Sequence, residues 1–122
     1  LSDTIFQYGN ASLNTSEIKD GEQVTLTIPV SNTGKYDGEE VVQVYLRHPG
    51  DKEGPSHALR AFKRVAIAKG ATNNVTIPLS KENFEWFDTS TNTMRPIEGD
   101  YEILYGGTSE LKQLKSIPVT IK

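Results

Sequence analysis

The chain has 122 residues and no cysteine, so disulfides, thiol catalysis and cysteine-ligated metals are excluded. Its formal net charge of −3 argues against a nucleic-acid partner, which needs a clustered basic surface. No apolar run approaches the ~18 residues of a membrane span, and no segment has the basic–apolar–small layout of a signal peptide, so no membrane partner is expected. One domain, 1–122, is the simplest organisation at this size. The chain starts at Leu1, directly before a strand-like run, and reads as a processed chain or a piece of a longer protein.

Taken in chain order, the dominant signal is alternation with period two. The first strand contains Phe6 and Tyr8, breaks at Gly9-Asn10, and resumes with Ala11 and Leu13. In QVTLTIPV, Val24, Leu26, Ile28 and Val30 share one face. In VVQVYL, Val42, Val44 and Leu46 share a face opposite Val41, Gln43 and Tyr45. In LRAFKRVAI the phase slips between Phe62 and Val65, which predicts a bulge near Lys63-Arg64. Val75, Ile77 and Leu79 resume the alternation, followed by Tyr101, Ile103 and Tyr105, and then Ile117, Val119 and Ile121. Only Ser80 to Phe87 hints at helix, as a single capped turn at most.

The connections agree. Glycines 21, 34, 38, 70 and 99 each stand where a turn calls for positive φ. Pro29, Pro78 and Pro118, in TIPV, TIPL and SIPV, predict edge strands or strand ends, where a missing N–H breaks no ladder bond. Together these features predict an all-β sandwich of about seven antiparallel strands.

Catalytic chemistry finds little support. His48 and His57 lie on a polar loop with Asp51 and Glu53 nearby, in a spacing that matches no metal-ligand pattern. Glu39 and Glu40 are adjacent in a strand and point to opposite faces, so they cannot act as a glycosidic acid–base pair. The stretch ENFEWFD places Trp86 among carboxylates, which makes it a weak candidate for stacking a sugar ring. The competing reading is that these rings close the end of the core. The loop around Glu17, Asp20 and Glu22 lacks calcium-loop spacing, and no elbow motif presents a serine nucleophile. Sequons at Asn10, Asn14 and Asn74 matter only on a eukaryotic secretory route. No catalytic residue, cofactor or metal is expected.

The motifs resemble one known family. LSDTIFQYGNASL, VSNTGKYDGEEVVQVYLRHP, PSHALRAFKRVAIAKGATNNVTIPL and FEWFDTSTNTMRPIEGDYEILYGGTSE follow, from end to end, the fibronectin type III-like domain at the C-terminus of family 3 glycoside hydrolases, the β-glucosidases and β-xylosidases. The most specific matches are Asn32, Thr33, Gly34, Gly38, Glu40, Val41, Val42, Gln43 and Tyr45. Pro55, Leu59, Phe62, Arg64, Val65 and Gly70 keep the next segment's spacing. Asp3, Ala61, Lys69 and Met94 depart from the pattern.

The resemblance implies an immunoglobulin-like sandwich without catalytic residues, an accessory domain packed on the catalytic domains of a parent glycosidase. That parent would hydrolyse terminal β-glucosyl or β-xylosyl residues and would be periplasmic or secreted. Val41, Gln43, Tyr45 and Arg47 form the second face of a strand whose first face is apolar, so they are the candidate interdomain contacts, with the loop from Arg47 to Leu59. Two rivals are a carbohydrate-binding module using Trp86 and a protein-binding adhesion module.

Overall fold

A computed structural model describes residues 5–19, 21–49 and 59–122. The strands are β1 (Phe6–Tyr8), β2 (Ser12–Leu13), β3 (Glu17–Ile18), β4 (Gln23–Asn32), β5 (Gly38–Arg47), β6 (Leu59–Ile67), β7 (Thr72–Ser80), β8 (Glu85–Asp88), β9 (Thr93–Pro96), β10 (Gly99–Gly106) and β11 (Lys115–Ile121). In one sheet β4 pairs along its length with β7, and its other edge takes β1 and then β2. The second sheet has the order β3-β11-β10-β5-β6. All pairings are antiparallel except the two-residue parallel contact of β3 with β11. With β1 and β2 counted as one interrupted strand and the two-residue β3 set aside, seven strands form the sandwich, three in one sheet and four in the other, in line with the about seven that the alternation predicts. The fold is all-β.

Alternation explains why the two sheets close on each other. Val24, Leu26, Ile28 and Val30 of β4 meet Val42, Val44 and Leu46 of β5 in one apolar cluster, joined by Tyr101, Ile103 and Tyr105 of β10. The outer face of the β4 sheet carries Thr25, Thr27, Pro29 and Ser31, paired with Pro78, Thr76, Asn74 and Thr72 of β7. That face is uncharged and rich in hydroxyls, and it interacts readily with water. Tyrosine hydroxyls bind the sheets at one rim: Tyr105 accepts a hydrogen bond from Ala11 N at 2.8 Å and donates to Gly9 O at 3.0 Å.

Four details differ from the sequence reading. The irregularity in β6 lies opposite Val44/Tyr45, where Arg60 is the extra residue, and not at Lys63-Arg64. Beyond it the alternation is regular: Phe62 points outward and Val65 and Ile67 point inward, so Phe62 is no core residue. Pro29 lies in a strand paired on both sides, not at an edge. It is tolerated because β1 and β2 are interrupted opposite it, where Gly9 N donates to Pro29 O at 2.8 Å. A Cβ on Gly9 would come within 3.1 Å of the Pro29 ring, so the interruption also favours the smallest residue. Pro78 and Pro118 are on β7 and β11; β7 is an edge strand, and β11 meets β3 only at Thr120 and Ile121.

Gly21, Gly70 and Gly99 have positive φ, whereas Gly34 and Gly38 do not. The turn at Gly34 is shaped by Asn32, the one buried polar side chain among the described residues. Its Oδ1 accepts from Gly34 N at 2.9 Å, and its Nδ2 donates to Tyr36 O at 2.9 Å and Ile67 O at 3.0 Å. The capped turn after Ser80 is a short 3-10 helix, Lys81–Phe84. It leads into the ribbon β8–β9, which the sequence reading did not separate from the following hairpin.

Candidate interdomain face

The outer face of the second sheet gathers the residues singled out from the motif. Cross-strand register sets Arg47 beside Glu102, Tyr45 beside Leu104, and Gln43 beside Gly106. On the other side β6 sets Arg64 beside Val41, Phe62 beside Gln43 and Leu59 beside Tyr45. Tyr45 and Leu104 are 4% and 1% exposed, yet neither belongs to the cluster between the sheets. This strand is therefore covered on both faces at its centre. The Tyr45 hydroxyl donates to Gln43 Oε1, and Arg47 Nε donates to Glu102 Oε1 at 2.9 Å. Val41, Gln43 and Arg47 are half-buried.

Sequence reasoning missed the most exposed member of this face. Phe62 is 65% exposed and Leu59 48%. The signal was present in the strict alternation of Phe62 with Ala61 and Lys63, but it was obscured by placing the irregularity at Lys63-Arg64, three residues too late.

Trp86 lies at the end of the sandwich, half-buried against the core cluster. The Arg60 guanidinium sits over its ring at 4.5 Å from the centroid. The His48 imidazole stacks with it at 5.2 Å and the Tyr101 ring at 6.0 Å. Tyr101 donates its hydroxyl to Ile97 O at 2.7 Å. Burial pushes the Tyr101 phenol up and the Arg60 guanidinium down from their ordinary values. Asp88 is held below the usual carboxylate range by hydrogen bonds from Ser90 and by Arg95, which fixes the β8–β9 turn. On the ribbon's other side Phe87 and Met94 pair directly, 54% and 56% exposed.

The carboxylates do not converge. Glu39 is exposed near Arg64, whereas Glu40 turns inward and its Oε2 accepts from the Tyr8 hydroxyl at 3.0 Å. Among the described residues no group of three or more His, Asp or Glu could hold a metal ion. His57, Asp51, Glu53, Pro55 and Asp20 lie outside the described residues, as does most of the loop from Arg47 to Leu59.

The chain as a whole is similar to known proteins. A profile of the fibronectin type III-like domain matches residues 40–109. The chain belongs to the fibronectin type III-like domain family. It is 42% identical over 121 residues to a xylan 1,4-beta-xylosidase of Xylanibacter ruminicola, covering 99% of this chain and 14% of that protein. Against thermostable beta-glucosidase B of Acetivibrio thermocellus it is 29% identical, covering 100% of this chain and 17% of that protein. The solved β-glucosidase of Erythrobacter marinus superposes with a TM-score of 0.81 at 26% identity, over 98% of this chain and 16% of that one. The fibronectin type III-like domain thus spans about one part in six or seven of the relatives it matches. It is the domain as family 3 glycosidases carry it, consistent with an accessory role.

Proposed function

We propose that this fibronectin type III-like domain is catalytically silent alone and seats on the catalytic body of a family 3 glycosidase through the outer face of β5. The observation that carries this reading is coverage: nearly all of the chain matches a small fraction of a xylosidase and of a β-glucosidase. The buried Tyr45–Leu104 pair supports the choice of face, because a sheet that faces only water has no need of an apolar second face. Val41, Gln43 and Arg47, which are half-buried in the domain itself, are the contacts it implies, with Tyr45, already covered there, backing them from within.

The parent would remove terminal β-xylosyl or β-glucosyl residues outside the cytoplasm, in the periplasm or after secretion. The higher identity to the xylosidase favours β-xylosyl. A stacking role for Trp86 is disfavoured because its ring already packs against Arg60, His48 and Tyr101.

The test compares the whole polypeptide with this chain. The whole polypeptide cleaves an aryl β-xyloside or β-glucoside and the chain alone cleaves neither. Xylo- and gluco-oligosaccharides leave the emission of Trp86, the chain's single tryptophan, unchanged. Val41→Ser with Gln43→Ala lowers the melting temperature of the whole polypeptide. Hydrolysis or saturable quenching by the chain alone would contradict the reading.

A further inference from the structure

Among the described residues, four surfaces stand out that the fold itself does not use. They are the hydroxyl-rich face of the β4 sheet, the exposed Phe87–Met94 pair on the ribbon, the polar recess around Glu22 and Glu82, and the open edge between β6 and β7. The last carries the most independent observations.

At that edge Leu59, Arg60, Ala61, Phe62, Ile77, Pro78 and Asn83 line a groove of about 420 Å³. Its largest wall, Phe62, is the most exposed large hydrophobic side chain among the described residues. The groove is continuous with the β5 face, since Phe62 stands in register with Gln43 and Leu59 with Tyr45.

The edge is built to refuse an added strand. Lys63 turns its ammonium across the gap to Thr76 O at 3.0 Å, Pro78 removes a donor from β7, and the irregularity at Arg60 breaks the run of β6. Inward-pointing lysine, proline and bulges are the devices by which edge strands avoid pairing. The apolar side chains must therefore be met by side chains. Beside the groove, Arg60 Nε is buried without an acceptor among the described residues, while its Nη1 donates to Glu85 O. Unsatisfied buried donors are rare and call for an explanation.

We infer that this groove is the anchor point of the domain on its own polypeptide's catalytic body. It takes an apolar ridge against Phe62 and Leu59 and a carbonyl or carboxylate oxygen directed at Arg60. This rests on the accessory-domain reading and deepens it. The occupant is the catalytic body because the chain spans only 14% to 17% of its relatives, so most of such a polypeptide lies outside it. A second copy added by strand pairing is disfavoured because both edges are blocked, and one seated through side chains is an outcome of the test below.

The experiment places Phe62→Ser with Leu59→Ser in both the whole polypeptide and this chain, alongside Val41→Ser with Gln43→Ala and Phe87→Ser with Met94→Ser. In this chain the groove pair shifts melting by no more than about 2 °C, as for substitutions of exposed side chains. In the whole polypeptide the same pair lowers the transition by more, or splits off a separate domain transition. If only the β5 pair does so, the groove inference is overturned and the accessory reading stands. If none of the three pairs does so, both fall. A response confined to the Phe87–Met94 pair moves the anchor to the ribbon and overturns the inference. A concentration-dependent dimer of this chain that the groove pair abolishes would assign the groove to a second copy and also overturn it.

Discussion

Replacing Tyr105 with Phe removes one oxygen and tests how the two sheets are held at the β1–β2 interruption. The ring is 1% exposed and stays in the core, so the change creates almost no cavity. The hydroxyl is the acceptor for Ala11 N and the donor to Gly9 O, in the interruption between β1 and β2 of the opposite sheet. Each hydrogen bond contributes about 0.5–1.5 kcal/mol net, and a buried group left unpaired costs about 1–3 kcal/mol. Both backbone groups are only partly buried, so water recovers some of the loss, and a total near ~2 kcal/mol follows. With an unfolding entropy of about 2.1 cal/mol/K per residue, a chain of this length loses roughly 8 °C in melting temperature. Thermal unfolding followed by circular dichroism reads the shift. Amide exchange reads the cause, because protection of the Ala11 N–H should disappear selectively. A shift below about 2 °C with Ala11 still protected would refute the claim that this hydroxyl joins the sheets.

Further outcomes follow from the same interactions. Asn32→Asp keeps the size but replaces a donor aimed at two carbonyl oxygens with an acceptor, in a site 1% exposed. It should cost about 3 kcal/mol at neutral pH, recovered in part as the carboxyl is protonated, which chemical denaturation at several pH values measures. Gly107→Ala would place a Cβ 2.3 Å from Glu40 Oε2 and push that carboxylate off the Tyr8 hydroxyl. Its cost should therefore be non-additive with Tyr8→Phe, with a coupling of about 1 kcal/mol in a double-mutant cycle. Tyr8, Tyr101 and Tyr105 all have phenol pKa values raised by burial, Tyr8 also by Glu40. Below about pH 10 these tyrosines are protonated in both states, and their contribution to stability is complete. Above it the unfolded chain binds fewer protons than the folded one, so stability falls as pH rises. The melting temperature should decline steeply above pH 10, and less steeply in Tyr8→Phe.

Much of this fold is legible in the alternation alone. β4, β5, β7, β10 and β11 follow it closely because each turns one apolar face into the space between the sheets, and a shift of one residue would move that whole apolar set out of it. The Asn32-Thr33-Gly34 motif is legible as a turn, but its cause is not: the side-chain amide of Asn32, reaching Ile67 O 35 residues away, shapes it. Pro29 is misleading because its tolerance depends on a break in a neighbouring strand. The ribbon β8–β9 is hidden because its stability depends on Trp86 packing against distant Arg60 and Tyr101. The candidate face was half legible. Tyr45 opposite an apolar face points to a second covered side, whereas the exposure of Phe62 depends on where β6 breaks its register.

Hydroxyl-radical footprinting of this chain and of the whole polypeptide tests the central claim most directly, because it reads side-chain exposure residue by residue. Phe62, Leu59, Phe87, Met94 and Tyr36 are all exposed in the domain itself. If the domain seats through the β5–β6 face, Phe62 and Leu59 become strongly protected in the whole polypeptide, while Tyr36, Phe87 and Met94 keep their reactivity. Undiminished oxidation of Phe62 and Leu59 in the whole polypeptide would contradict it.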